Sequence, residues 1–395
     1  MRRLVVLSVV AIALLTLTGL AQQAATDGPY KVLKTAKVGG EGGSDYIYAD
    51  VVGRRLYIPR GGRRAVPATD TTPASPAVLG RITVFNLDTL EPVGEIPETG
   101  GNGVAVDPKS GHGFSSSKPV SMFDTKTLKL IKTIDVGAAQ PDGILFDAFN
   151  DRVYVFSHPT KDATVIDSKD GTVLGTIDLG GVPEQGVADG NGNLWVVMQD
   201  AQGSVTAVDV KTMKATGHYP FGDKGSCNGL ALDAKNHILF ASCARSGVPA
   251  APAVPPAPPS QAAPPVQSAP PAQPPTPPKP MMVIMSSVDG KIITTLPLAG
   301  GSDGAVFNPA TMETFSSHGN GTMTIVKEKS PTSFEVEQDL QTMMGARTLT
   351  LDRKTDHVLT MSVERGPAPP PPPGGGRAGQ APVIPGSFTI LVIGK

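Results

Sequence analysis

The chain has 395 residues and a formal net charge of −1, with 45 glycines, 39 prolines, 17% charged residues and 5% aromatic residues. The near-neutral charge provides no general attraction to nucleic acid or to an anionic membrane. Abundant glycine and proline with few charged residues favour many short strands joined by tight turns over helices.

The N-terminal residues have the pattern of an export signal. The basic start "MRR" precedes the apolar run "LVVLSVVAIALLTLT", which is too short to span a bilayer comfortably, and the small residues of "GLA" follow. The sequence predicts a signal peptide over residues 1–21, with cleavage after Ala21; the alternative is an uncleaved anchor. We therefore expect residues 22–395 to form a monomeric, periplasmic or extracellular protein without a membrane span.

A unit of roughly 40 residues recurs through the rest of the chain. In six copies an Asp or Asn is followed seven residues later by an aromatic or large apolar residue; these are Asp50 with Tyr57, Asp107 with Phe114, Asp147 with Tyr154, Asp233 with Phe240, Asn308 with Phe315 and Asp352 with Leu359. A seventh copy carries Trp195 in the aromatic position. Each unit contains two hairpins of alternating apolar and polar residues. Seven units of four antiparallel strands predict an all-β, seven-bladed β-propeller.

The two ends of the chain complement each other. The seventh unit has only three strands and ends at "SFTILVIGK", whereas "YKVLKTAKVGG" precedes the first hairpin without a partner. We expect this N-terminal strand to complete the last blade and close the ring, so that no sheet edge is left open.

The best-preserved unit, "DRVYVFSHPTKDATVIDSKDGTVLGTIDLGG", resembles the repeat of the YVTN-repeat β-propellers. The preceding "QPDGILFD" matches the start of that repeat, and Asp124, Asp167 and Asp209 match the Asp of its third strand. The resemblance covers about residues 30–395 outside the insertions, although "GFSSS", "LFASC" and "TFSSH" depart from the motif. It implies an exported bacterial propeller and transfers no catalytic residues.

Three Pro/Gly-rich segments interrupt the period at about residues 61–80, 246–280 and 366–386. Their low complexity predicts extended polyproline-like chain rather than further domains, so residues 22–395 form a single propeller domain. Each segment falls between the second and third strands of a blade, and therefore on the face where the innermost strands begin. Either these loops surround a binding mouth, or they stand where loops tolerate insertion.

Small polar residues stand where six innermost strands begin: Asp45, Asn102, Asp142, Gln185, Asn228 and Asp303, with Glu184 beside Gln185. Their oxygen atoms suit a hard divalent cation or a polyol at the mouth of a central channel. The alternative is that Asp-Gly and Asn-Gly only form the tight turn before the strand.

Arginines provide a second kind of candidate on the same face. Arg347 stands where the seventh blade begins, and Arg60, Arg63 and Arg64 fall at a strand end and in the following loop. Guanidinium groups in this arrangement could bind an anionic polymer such as a nucleic acid or an acidic glycan, although the neutral overall charge and the nearby carboxylates weaken that case.

No catalytic motif stands out in the sequence. There is no haem-attachment motif and no paired-histidine zinc spacing, and the lone Trp195 argues against quinone-dependent dehydrogenase propellers. His158 and His318 belong to different blades on opposite sides of the axis, so they are poor candidates for one metal site. We expect no catalytic residue, no metal site and no cofactor other than a divalent cation in the channel.

The sequence therefore favours a binding or interaction scaffold over an enzyme, with a small molecule, glycan or protein as its partner. Two alternatives remain: a lactonase-like hydrolase of small polyol or lactone substrates, which would use the channel cation, and a binder of an anionic polymer.

Cys227 and Cys243 are the only cysteines. The turn "DAKN" folds the fifth inner hairpin so that these two residues face each other, and directly opposed residues of an antiparallel pair can form a disulfide. An exported protein meets an oxidising compartment, so we expect the pair to be oxidised. The alternative is two buried free thiols.

Overall fold

The computed structural model describes residues 27–62, 65, 67–68, 74, 76–137, 140–222, 224–243, 279–367 and 381–395. The predicted signal peptide, Arg63, Arg64 and most of the second and third insertions lie outside these residues. Among the residues that the structure describes, all regular structure is strand, and no helix has the length and hydrophobicity that a membrane crossing requires.

The strands form seven four-stranded antiparallel sheets, which are the blades of a ring. Strand β1 (Lys31–Lys37) precedes blade one, which contains β2 (Tyr48–Asp50), β3 (Arg55–Arg60), β4 (Arg81–Asn86) and β5 (Pro92–Pro97). Blade two contains β6 (Val104–Asp107), β7 (His112–Ser115), β8 (Val120–Asp124) and β9 (Lys129–Ile134). Blade three contains β10 (Pro141–Asp147), β11 (Arg152–Ser157), β12 (Asp162–Asp167) and β13 (Val173–Asp178). Blade four contains β14 (Pro183–Ala188), β15 (Asn193–Met198), β16 (Ser204–Asp209) and β17 (Lys214–Pro220).

The remaining blades follow the same order. Blade five contains β18 (Cys227–Asp233), β19 (Ile238–Cys243), β20 (Met281–Ser286) and β21 (Ile292–Pro297). Blade six contains β22 (Ser302–Asn308), β23 (Glu313–His318), β24 (Thr322–Ser330) and β25 (Ser333–Gln341). Blade seven contains β26 (Leu349–Asp352), β27 (His357–Ser362) and β28 (Thr389–Gly394), with β1 as its fourth strand. The prediction of a seven-bladed propeller is confirmed.

The ring closes through the predicted N-terminal strand. Strand β1 pairs antiparallel with β28, in a register that places Lys31 opposite Gly394. Just before β1, the Tyr30 hydroxyl donates a hydrogen bond to the Glu313 carboxylate of blade six, and Lys395 Nζ lies 2.8 Å from Glu313 Oε1. The Tyr30 backbone also exchanges two hydrogen bonds with the Gln338 side chain, at 2.9 and 3.0 Å. We call Tyr30, Glu313, Gln338 and Lys395 the closure latch, because they join the last blade to its neighbour.

The repeated aromatic residues are buried between neighbouring blades. Tyr57, Phe114, Tyr154, Phe240 and Phe315 have no exposed surface, and Trp195 is 5% exposed. The Tyr57 ring of blade one lies 5.7 Å from the Phe123 ring of blade two, measured between centroids. Because the same packing position recurs from blade to blade, these regularly spaced aromatic residues stabilise the fold and do not indicate a binding site.

The fifth blade places its two cysteines opposite each other. Strand β18 pairs with β19 so that Cys227 faces Cys243, and the two sulfur atoms are 2.02 Å apart in a disulfide. Both residues are fully buried. The bond lies in the inner hairpin next to the longest insertion, where it joins the two innermost strands of the blade.

Oxidation of this pair in the protein stays a prediction that mass spectrometry can check. We expect the intact mass under non-reducing conditions to fall short of the fully reduced mass by two hydrogen atoms. Replacing both cysteines with alanine should lower the free energy of unfolding by about 3 kcal/mol, because a closed loop of this size restricts the unfolded chain. A fully reduced mass, together with unchanged urea denaturation of the double variant, would contradict the disulfide.

Candidate functional site

The innermost strands all begin on one face of the ring, which we call the ring face. The loop from β3 to β4, the connection from β19 to β20 and the connection from β27 to β28 each join a second to a third strand. Their ends therefore lie on the ring face. The polar residues at the starts of the inner strands converge there, since seven inner strands surround one axis.

One half of this face combines two carboxylates with an imidazole. His158 Nε2 lies 2.9 Å from Asp142 Oδ2 and 3.6 Å from Glu184 Oε1. Asp142 belongs to β10, Glu184 to β14, and His158 follows β11, so blades three and four both contribute. We call these three residues the Asp–His–Glu cluster. Contact with the Asp142 carboxylate raises the pKa of His158, so the imidazole is more readily protonated here than in water.

Neighbouring side chains hold Glu184 in place. The Tyr46 hydroxyl donates a 2.6 Å hydrogen bond to Glu184 Oε2, and Gln199 Nε2 donates to Glu184 Oε1. Burial, followed by the negative charge of Asp142, raises the pKa of Glu184 to about 8. Glu184 therefore holds a proton more tightly than an exposed carboxyl group does.

The other half of the ring face is organised around Arg347. Its guanidinium lies 3.4 Å from Asp45 Oδ1 and 2.8 Å from Asp303 Oδ2. Asn228 Nδ2 donates a 3.1 Å hydrogen bond to Asp303 Oδ1 and lies 3.5 Å from Glu184 Oε1, which connects this half to the Asp–His–Glu cluster. Burial raises the pKa of Asp45 to about 6, against the opposing effect of Arg347.

The network of these side chains thus has an excess of acidic groups. Within this network, four carboxyl groups (Asp45, Asp142, Glu184 and Asp303) face one guanidinium, and the only other ionisable base is His158. Such a surface favours a cation or a ligand that donates hydrogen bonds from hydroxyl or amino groups.

Three further residues predicted for this site, Asn102, Gln185 and Arg60, lie outside the network. Asn102 Nδ2 donates to the Pro141 carbonyl at 3.2 Å, and Asn102 also lines a cavity that opens beside Asp142. Gln185 accepts hydrogen bonds from Leu230 N and Ala305 N at 3.0 and 3.1 Å and donates to the Ala305 carbonyl at 2.9 Å. It therefore joins the inner strands of blades four, five and six.

Arg60 lies apart from the network. Its side chain is fully buried, its guanidinium stacks 3.3 Å from the centroid of Phe388, and it donates to the backbone carbonyls of Gly39 and Glu41 at 2.9 and 3.2 Å. Burial lowers the pKa of Arg60 to about 10. The buried guanidinium therefore helps to join blade one to blade seven and is not exposed to a ligand on the ring face.

Sequence reasoning missed Tyr46 and Gln199, and it considered His158 only as a metal-site partner of His318. The register of β10 and β11 pairs Pro141 with Ser157, which places the next residue, His158, beside Asp142. Pairing the residues of β10 and β11 across their turn, as was done for the hairpin of the two cysteines, would have placed His158 beside Asp142. Tyr46 and Gln199 carry no such signal, because each reaches Glu184 from a position that does not recur in the other blades.

A cavity of about 510 Å³ opens on the ring face between blades one, two and three. Its lining includes the hydroxyl-bearing Ser116 and Ser117 of blade two, Gln140, and the cluster residues Asp142 and His158. We call it the ring-face cavity. It connects solvent to the Asp–His–Glu cluster.

Comparison with solved structures supports the fold. The chain is similar to the WD40 repeats of RRP9, with 10% identity, a TM-score of 0.64, and coverage of 94% of this chain and 100% of that one. It is similar to a chain of the Mitotic Checkpoint Complex, with 10% identity, a TM-score of 0.62, and coverage of 91% and 95%. It also resembles a chain of hydrazine synthase from Kuenenia stuttgartiensis, with 14% identity, a TM-score of 0.59, and coverage of 86% and 95%.

No protein-family model matches the chain, and no curated protein does. The structural likeness therefore supports the class of protein that the strands define, a seven-bladed β-propeller. At these identities the likeness concerns the fold alone, and any function must be argued from the site.

Proposed function

We propose that the chain is an exported binding protein of the YVTN-repeat type, which acts in the periplasm or outside the cell and captures a small polar ligand in the ring-face cavity. The export signal and the repeat motif of the sequence support the location and the family. The binding role is supported by the loops of the ring face, because binding residues are commonly carried on loops that a rigid scaffold positions. No contact among the described residues favours a lactonase-like hydrolase or a binder of anionic polymers.

The observation that carries the proposal is the combination of cavity and charge. A cavity of about 510 Å³ is large enough for a small molecule. Ser116, Ser117 and Gln140 supply hydrogen-bonding groups along its wall, and Asp142 supplies a buried carboxylate at its floor. A ligand with several hydroxyl groups, or with an amino group, would find matching acceptors there.

A thermal-shift experiment tests this role with a defined panel of probes: monosaccharides, linear polyols, hydroxy acids and primary amines. We expect at least one class to raise the melting temperature of the parent in a concentration-dependent way, because a ligand that binds only the folded state stabilises it. Gln140→Trp should weaken the apparent affinity at least about tenfold, because the exposed Gln140 lines the cavity and indole would fill the opening.

The matched control is Val288→Trp. Val288 is 71% exposed in the turn between β20 and β21, on the face opposite to the ring face. This variant adds the same indole and should keep the parent's response. A panel without any stabilising class, or a response that Gln140→Trp leaves unchanged, would contradict the proposed function.

A further inference from the structure

We infer that Asp142, His158 and Glu184 bind a divalent transition-metal ion, with Zn²⁺ as the best match, at the floor of the ring-face cavity. This inference rests on the proposed function, since it uses the same cavity and names an ion as part of what binds there.

The spacing of the donor atoms fits one ion. One ligand atom from each of the three residues lies within 4.8 Å of the others. A tetrahedral zinc ion with nitrogen and oxygen ligands at about 2.0–2.2 Å separates those ligands by about 3.4 Å. The distances of 2.9 and 3.6 Å from His158 Nε2 to the two carboxylates lie on either side of that value. Two of the three separations therefore lie within about half an ångström of the value that a common zinc ion requires.

One buried polar atom of the cluster is not satisfied by a hydrogen bond. Asp142 Oδ1 has no hydrogen-bond partner among the described residues, whereas the other carboxylate oxygen, Oδ2, lies 2.9 Å from His158 Nε2. Asp142 is only 9% exposed. Leaving a buried carboxylate oxygen without a partner is costly, and a bound ion would remove that cost.

The chemical types of the three ligand atoms indicate which metal ions they would bind. One imidazole nitrogen with two carboxylate oxygens suits zinc and related first-row metals, whereas calcium takes six to eight oxygen ligands. His158 also makes a hydrogen bond with the backbone of Pro183, which can offer only its carbonyl. Metal-bound histidines commonly donate their other ring N–H to such an acceptor. Tyr46 and Gln199 orient Glu184 in the same way.

The cluster also has an open side. Asp142 and His158 line the ring-face cavity, so a small molecule in the cavity can reach an ion held between them. Three protein ligands with one position open to a ligand is the arrangement of zinc sites that bind or activate small molecules, whereas purely structural zinc sites use four protein ligands. The ion would therefore help to bind the small polar ligand.

Isothermal titration calorimetry with ZnCl₂, after removal of metals by a chelator, tests the inference on the full chain. We expect one saturable zinc site per chain in the parent. His158→Ala and Asp142→Asn should each weaken zinc binding at least about 100-fold, because loss of even an outer-shell partner weakens such sites 10- to 100-fold. His218→Ala is the control, because His218 is exposed on β17, away from the cluster, and its loss should leave zinc binding unchanged.

Two further measurements complete the test. Circular dichroism of each variant confirms that it is folded, and Glu184→Gln serves in place of any variant that is not. CaCl₂ and MgCl₂ at matching concentrations should not displace zinc. Absence of a saturable site, equal binding by the folded cluster variants, or displacement by calcium would each overturn the inference.

The outcome also separates this inference from the proposed function. The small-molecule panel is repeated with chelator present. If a small molecule stabilises the parent and no zinc binds, the metal site alone is contradicted. If zinc binds and no small molecule stabilises the parent, the proposed function alone is contradicted. If neither binds, both are contradicted.

Discussion

Replacing Glu313 with alanine is expected to lower the free energy of unfolding by about 3–5 kcal/mol, because it removes the acceptor at the centre of the closure latch. Glu313 is fully buried and accepts from Tyr30, while Lys395 and Lys327 approach the same carboxylate at 2.8 and 3.5 Å. Burial alone would raise the pKa of Glu313, but the contacts with Lys395 and Tyr30 outweigh it and lower the pKa to about 2. The carboxylate therefore stabilises the fold above its unfolded-state pKa, and this contribution is lost as the pH falls from about 4.5 to about 2.

Urea denaturation measures this effect, with the fluorescence of the single tryptophan, Trp195, as the signal. The matched control is Glu335→Ala on the same blade, where the carboxylate pairs with Lys329 at 2.6 Å but is about half exposed. Exposed pairs contribute at most about 1 kcal/mol, so this variant should remain close to the parent. Equal denaturation midpoints for the two variants would show that the latch does not hold the ring closed.

His318 should make the propeller sensitive to acid. Its side chain is fully buried at the end of β23, where Nε2 donates to Thr324 Oγ1 at 3.0 Å because that hydroxyl donates in turn to Asp339. Burial lowers the pKa of His318 to about 3. The unfolded chain then binds a proton that the folded chain does not, so stability falls as the pH drops below about 6.5 and levels off near 3. The expected loss from this residue between pH 8 and pH 5 is about 2 kcal/mol.

Comparison of His318→Gln with the parent isolates this effect from other titrating groups. The glutamine amide keeps a donor for Thr324 but cannot take up the proton, so the variant should lose about 2 kcal/mol less than the parent between pH 8 and pH 5. His218→Gln is the control, because His218 lies exposed on β17. Parallel pH profiles of His318→Gln and the parent would rule out a buried neutral histidine at this position.

The fold follows from local patterns, which is why the sequence predicts it well. Each blade has its own turn residues and alternation, so the strands of blade three can be located without knowledge of blade six. Closure follows from one missing strand, because an unpaired edge at "SFTILVIGK" calls for a partner and only "YKVLKTAKVGG" is free in the sequence.

The site depends on contacts between blades, which the repeat does not encode. Asp142, Glu184 and Asp303 could be placed on one face because they share a position in the repeat. Gln185 shares that position too, yet its amide binds the backbone of other blades, and which of these outcomes occurs depends on how closely the inner strands approach. Arg60 shows the same limit, since a charged residue beside a loop suggests exposure, whereas its aromatic neighbour Phe388 comes from the other end of the chain.

The pairing of Lys31 with Gly394 also determines how the ring would respond to tension between its two ends. These residues lie side by side at one end of an antiparallel ladder, so a pull on both ends would load the hydrogen bonds of β1 and β28 one after another rather than all together. Such peeling requires little force, and the first resistance would come from Tyr30 and Lys395, which bind Glu313 beside that end of the ladder. If both ends of the chain are held, the closure latch therefore bears the first load and sets when the ring opens.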